Sequence, residues 1–162
     1  MKSFRKQVEN IKKKRMAENH VVSLHEFRNI KKEEKLKNIL VVDDDEVMRS
    51  AIKRVLENNG YSVKLAEDGV QLSIVLETLE PDLILLDVNL PWVDGNELCH
   101  LIRSHQFLHA TPVVMISAHK SPEDIQKGIA AGALDFIPKP FDIDHLLSVV
   151  NKYTQKNTDV PA

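Results

Sequence analysis

Five short, largely apolar runs, residues 39–42, 62–66, 83–86, 112–116 and 135–137, alternate along this chain with segments whose apolar residues recur at helical spacing. That alternation leaves few folds open. Val47, Met48, Ala51, Ile52, Val55 and Leu56 predict a first helix stopped by Asn59-Gly60, and Leu72, Val75, Leu76 and Leu79 a second ended by Pro81. A third is expected around Leu98, Leu101 and Ile102. Ser121-Pro122 reads as an N-cap with proline at the first helical position, opening a helix that contains Gly128 and ends at Gly132. Leu146, Leu147, Val149, Val150 and Tyr153 line the last.

The strand runs are continuous rather than alternating, which fits strands buried on both faces. The expected fold class is therefore α/β, a doubly wound five-stranded parallel sheet of flavodoxin-like order 2-1-3-4-5, with a basic N-terminal extension. At 43% apolar and 28% charged residues the 162-residue chain can build one sizeable core. No apolar stretch nears the roughly 20 residues of a membrane span, and the N-terminus has no secretory pattern, so a cytoplasmic location is expected. Cys99 is the single cysteine, which leaves no internal disulfide and no cysteine-based zinc site. It falls on the Leu98–Ile102 pattern as a small core residue, with a reactive thiol as the alternative.

Charge is divided unevenly. Residues 1–38 carry 12 Lys and Arg against 5 Glu, a net of +7, and residues 39–162 carry 10 against 19 acids, a net of −9. In the basic part Phe4, Val8 and Ile11 have helical spacing, and Ser23-Leu24-His25-Glu26 fits a capping box for a second short helix through Phe27 and Ile30. Neither segment has enough apolar surface for a core of its own. The arm reads as a solvated extension, or as a nucleic-acid, anionic-lipid or partner contact through Lys12-Lys13-Lys14-Arg15.

In the expected strand order the C-terminal ends of the first and third strands are neighbours, which brings Asp43 and Asp44 to Asp87. Carboxylates so placed repel unless a cation joins them, and a hard divalent ion such as Mg²⁺ takes oxygen ligands beside a phosphate. Asp43 to Asp45 could equally serve as an N-cap and acidic first turn. Ser117 closes the fourth strand with a hydroxyl and Lys139 the fifth with an ammonium. A carboxylate joined by a metal, a donor and a cation is what a phosphoryl group on that carboxylate needs.

The segments Ile39-Leu40-Val41-Val42-Asp43-Asp44, Asp87-Val88-Asn89-Leu90-Pro91-Trp92-Val93-Asp94-Gly95, Ser117-Ala118 and Phe136-Ile137-Pro138-Lys139-Pro140 together resemble the receiver domain of two-component response regulators. The resemblance covers about residues 37–153. It implies an extension over 1–37, a receiver over 38–154 and a tail over 155–162. It implies that Asp87 accepts a phosphoryl group from a phosphohistidine on a sensor histidine kinase or histidine phosphotransfer protein. Mg²⁺ would be held by Asp44 and Asp87 directly, by Asp43 mainly through water, and by the backbone carbonyl of Asn89. Ser117 would hydrogen-bond the phosphoryl group and Lys139 pair with it. Phe136 stands at the aromatic switch position and, with Ser117, would couple phosphorylation to the face of the fourth helix, fifth strand and last helix, where an unidentified downstream protein binds. Phe136 lacks the hydroxyl of the tyrosine often found there. His119 matches a position that tunes dephosphorylation, and Lys139-Pro140 a bond that is cis in the family.

Only Thr154 to Ala162 follow Tyr153, so the expectation is a single-domain regulator of the chemotaxis or phosphorelay-shuttle type, a phosphorylated switch and not a multiple-turnover enzyme. Two other readings compete. Asp87-Val88-Asn89-Leu90 superficially resembles the nucleophile motif of haloacid-dehalogenase-type phosphatases, but Asn89 replaces their acid-base aspartate and the motif lies on the third strand. Alternatively the basic arm is the effector, binding nucleic acid or membrane under control of the receiver.

Overall fold

A computed structural model describes residues 5–11, 13 and 35–155. The chain divides into two units between Lys35 and Leu36. In the first, residues 5–11 and 13 are helical, and Arg5 and Glu9 pair one turn apart at 3.5 Å. The expected second helix of the arm, and Lys12, Lys14 and Arg15, lie outside the described residues.

The second unit runs β1 (Asn38–Val42), α1 (Glu46–Asn58), β2 (Ser62–Ala66), α2 (Gly69–Leu76), β3 (Leu83–Asp87), α3 (Gly95–Ser104), β4 (Val113–Ser117), α4 (Pro122–Ala131), β5 (Asp135–Pro138) and α5 (Ile143–Thr154). The strands form one sheet in the order β2-β1-β3-β4-β5, every neighbouring pair parallel. This is the expected doubly wound fold. Successive side chains of a strand point to opposite faces, so each apolar run feeds two cores. Ile39, Val41, Leu83, Leu85, Val114 and Ile116 pack with Ile52 and Leu56 of α1 and Leu146, Val149 and Val150 of α5. Leu40, Val42, Ile84, Leu86, Val113 and Met115 pack on the other face with Leu72 of α2 and Leu98, Cys99 and Ile102 of α3.

Each of these five helices starts on a side-chain cap at the C-terminal edge of the sheet: Asp45, Asp68, Asp94, Ser121 and Asp142 each accept a backbone N–H of the first turn. At α4 the cap is reciprocal, with Ser121 and Asp124 each accepting the other's backbone N–H and Pro122 in the first turn. The hydroxyl of Ser121 also donates to Asp124, which holds that carboxyl below its ordinary range.

One helix expectation is corrected, and two apolar helix residues face solvent. α2 ends at Leu76 rather than at Pro81, because Glu77 and Thr78 donate three residues back, to Ile74 and Val75, and the last turn tightens and stops. Val47 and Leu101, on the apolar patterns that predict the first and third helices, are 79% and 62% exposed. Each sits about 100° around its helix from a residue that does face the sheet, Met48 and Ile102, so the buried stripe is narrower than the apolar pattern.

Cys99 is fully buried, and loss of solvation pushes its thiol up to about 11 against a smaller opposite pull from Arg103. Thiolate is the reactive form. At pH 8 an aromatic disulfide reagent is therefore expected to label the folded chain at least about 100-fold more slowly than the urea-unfolded chain. Labelling at equal rates would show that α3 opens freely.

Candidate phosphoryl-acceptor site

Parallel register places the site. Val42 lies opposite Leu86, so the chain leaves β1 and β3 side by side, and Asp43 and Asp87 emerge together at the C-terminal edge. Asp87 pairs with Ile116 and Ser117 with Pro138, so Ser117 and then Lys139 follow along the same edge. The backbone N–H of Lys139 donates to the carbonyl of Ser117 at 2.8 Å, which ties the ends of β4 and β5.

Lys139 closes the group. Its Nζ donates to Asp43 Oδ2 at 2.7 Å and to Asp87 Oδ2 at 3.1 Å, bridging residues 96 and 52 positions away. The other oxygen of each carboxylate accepts a local backbone N–H, Asp43 Oδ1 from Asp45 and Asp87 Oδ1 from Asn89. Asp43, Asp87 and Ser117 are buried, while Asp44 and Asn89 are exposed at the mouth. Asp43, Asp44 and Asp87 can each offer an oxygen within 4.8 Å of the others. Ser117 Oγ accepts the N–H of His119 at 3.0 Å, and its own proton is free to point elsewhere. Phe136 is half-buried on β5 among the α2–α3 core, and Gly128 lets α4 come close to it and to Met115. Lys139-Pro140 is cis.

The profile of the response regulator receiver domain matches residues 39–151. The chain belongs to that family. The response regulator MprA of Mycobacterium sp. (strain KMS) is 42% identical over 110 residues, which is 68% of this chain and 47% of the relative. The chain thus spans about half the length of the curated relatives it matches. Among solved structures, the chemotaxis response regulator CheY4 of Vibrio cholerae superposes with a TM-score of 0.70 at 31% identity, covering 74% of this chain and 99% of that one. A response regulator from Thermotoga maritima gives 0.68 at 30% identity, covering 75% and 100%.

In this receiver domain the electrostatics of the pocket are one-sided. Burial is the largest influence on Asp87 and raises its carboxyl above the ordinary range; the charge of Asp43 adds to it, and the Asn89 N–H and Lys139 work against it. Burial alone would lower the Lys139 ammonium, but its two carboxylate partners outweigh that and hold it above its usual value. Three carboxylates against one ammonium leave a net charge of −2 in a set of hard oxygen donors. Such a donor set fits a divalent cation.

Two participants were not read from the sequence. Arg49 donates to the carbonyl of Asp43 at 2.6 Å and fixes the turn that aims the carboxylate, yet in the sequence it is one more charged residue of a helix. Gly95 packs directly on the end of β3, where an added Cβ would lie 2.4 Å from the Asp87 carbonyl oxygen and 2.6 Å from Val88 Cα. Its signal was present in Asp94-Gly95 but reads only as a turn.

Proposed function

We propose that this receiver is a phosphorylation switch whose acceptor is Asp87. The observation that carries the reading is the Lys139 ammonium held between the Asp43 and Asp87 carboxylates. The donor is a phosphohistidine of a sensor histidine kinase or histidine phosphotransfer protein, met in the cytoplasm. A carboxylate oxygen of Asp87 forms a bond to phosphorus as the phosphorus–nitrogen bond of the donor breaks, and the electron pair stays on the imidazole. Asp43, Asp44 and Asp87, with the Asn89 carbonyl, would hold Mg²⁺, which when bound neutralises charge on the phosphoryl oxygens. Lys139 turns its ammonium from the carboxylate to the phosphoryl group, and Ser117 donates its hydroxyl proton to a phosphoryl oxygen.

Ser117 drawn toward the phosphoryl group leaves room beside Phe136, and the ring then moves inward between α4 and β5. The α4–β5–α5 face changes with it and selects the downstream protein. An apolar ring makes that swing without a hydrogen bond at its tip. For useful switching the phosphorylated form must favour one conformation by a few kcal/mol. Each molecule is charged and discharged once per signal and turns over no separate substrate.

Intact-protein mass after incubation with acetyl phosphate and Mg²⁺ tests the acceptor. One phosphoryl adduct is expected for the wild type, none for Asp87→Asn, and none for the wild type in excess EDTA. An adduct that persists in Asp87→Asn would move the acceptor elsewhere.

A further inference from the structure

Among the described residues, the two most exposed large apolar side chains are Trp92, 96% exposed, and Val47, 79% exposed. Each follows one of the pocket's buried carboxylates closely along the chain. Trp92 follows Asp87 by five positions in the β3–α3 loop, and Val47 follows Asp43 by four in the first turn of α1. The β3–α3 loop and the start of α1 are the segments that leave the two adjacent strands ending in the buried carboxylates.

The backbone singles out Trp92 further. Its φ of 70° makes it the one non-glycine residue with positive φ among those described. The Val93 N–H donates to the Pro91 carbonyl at 2.9 Å, which closes a three-residue turn with the indole at its apex. A bulky L residue is disfavoured there, and glycine would hold the same turn without strain. An exposed indole on a strained turn does nothing for stability, so its use lies in what covers it.

We propose that Trp92, flanked by Val47, is the apolar anchor that seats the phosphodonor protein over the pocket; this rests on the reading of Asp87 as acceptor. A donor histidine must bring its phosphorus to a carboxylate that is only 5% exposed, at the sheet edge from which the β3–α3 loop and the start of α1 leave. Whatever presents the phosphohistidine therefore covers Trp92. Aromatic side chains desolvated near the centre of an interface carry a large share of binding energy. Acetyl phosphate is small enough to enter without touching the indole.

The full chain, Trp92→Ala and Trp92→Gly are each phosphorylated with acetyl phosphate, and then with the source organism's autophosphorylated histidine kinases, profiled one at a time. Acetyl phosphate is expected to charge all three at rates within about twofold. Transfer from the fastest kinase is expected to fall at least about tenfold in kcat/KM for both variants, with the loss in KM. A tenfold loss is about 1.4 kcal/mol. Trp92→Gly also relieves the turn and is expected to melt above the wild type, which separates loss of the ring from damage to the loop. Kinase transfer unchanged in both variants overturns the proposal and leaves the indole to a downstream target. So does equal slowing with acetyl phosphate, or a wild type that takes phosphate from acetyl phosphate and from no kinase. A wild type charged by neither donor overturns the Asp87 reading first, and this one with it.

Discussion

Replacing Gly95 by alanine is expected to lower the stability of the receiver by about 3 kcal/mol. The added Cβ would sit 2.4 Å from one backbone oxygen, 2.6 Å from a backbone carbon and 3.0 Å from a second oxygen, all belonging to Asp87 and Val88. No rotamer change relieves a clash with main chain, so the β3–α3 loop must move. The Gly95 N–H now donates to the Val88 carbonyl at 2.8 Å, and that bond would be strained or lost as well. For a domain of this size the melting temperature should fall by about 10 °C. Because Asp87 contributes one of the clashing atoms, Mg²⁺ binding and phosphorylation should weaken together with stability. Gly69→Ala is the control: its Cβ would meet only side-chain atoms of Leu98 and Val93, at 3.7 to 4.0 Å, and little change is expected. Thermal melts of the two variants, with and without Mg²⁺, check this. A Gly95→Ala protein that melts with the wild type would mean the loop has room that the contact distances deny.

Lys139→Met is expected to cost about 2–3 kcal/mol in EDTA at pH 7, since it strands two buried carboxylates without their counter-charge. The cost is below that for a fully enclosed pair because the lysine side chain retains 17% exposure. The pH dependence follows from the directions of the shifts. Asp87 is already raised in the wild type, so the folded state holds that proton more tightly than the unfolded state, and stability declines as pH rises through the carboxylate range. Removing the ammonium deepens the decline. Lys139 is also raised, so its contribution is complete below the ordinary lysine value and is lost as pH climbs through the folded one. The gap between variant and wild type should therefore be widest near neutrality and narrow in both acid and alkali. Mg²⁺ should restore part of the variant's stability, because a bound divalent ion supplies the missing positive charge. Urea unfolding at pH 4.5, 7 and 10.5 measures the gap. One that is flat across these values would show the bridge to be energetically idle.

The sheet was legible because each strand run is short, largely apolar and bounded by turn residues, and the runs of β1, β3 and β4 are apolar on both faces, a pattern that parallel strands covered on both faces produce. Its order follows from the alternation of strands and helices together with the segments that resemble the family. The convergence of Asp43, Asp44, Asp87 and Lys139 was legible for a related reason: each lies at a strand end, where side-chain direction is set by register and not by loop detail. The two readings of residues 43–45 divide between neighbours, with Asp45 capping α1 and Asp43 facing Lys139. Arg49, Val47 and Leu101 were not legible. Helical periodicity says which residues share a face, but the width of the buried stripe depends on how each helix lies across the sheet. The Gly95 contact was hidden too, since a tight turn and a close backbone approach use the same residue.

The lysine bridge spans β1, β3 and β5, and its partners are 96 and 52 residues from it along the chain. An emerging polypeptide has made Asp87 well before residue 139, and a chain nicked between α3 and β5 can separate Asp87 from Lys139. Neither has the assembled pocket. The assembled pocket is therefore a property of complete tertiary structure, and on the proposed reading of Asp87 as acceptor, damaged or unfinished copies would be silent instead of wrongly active.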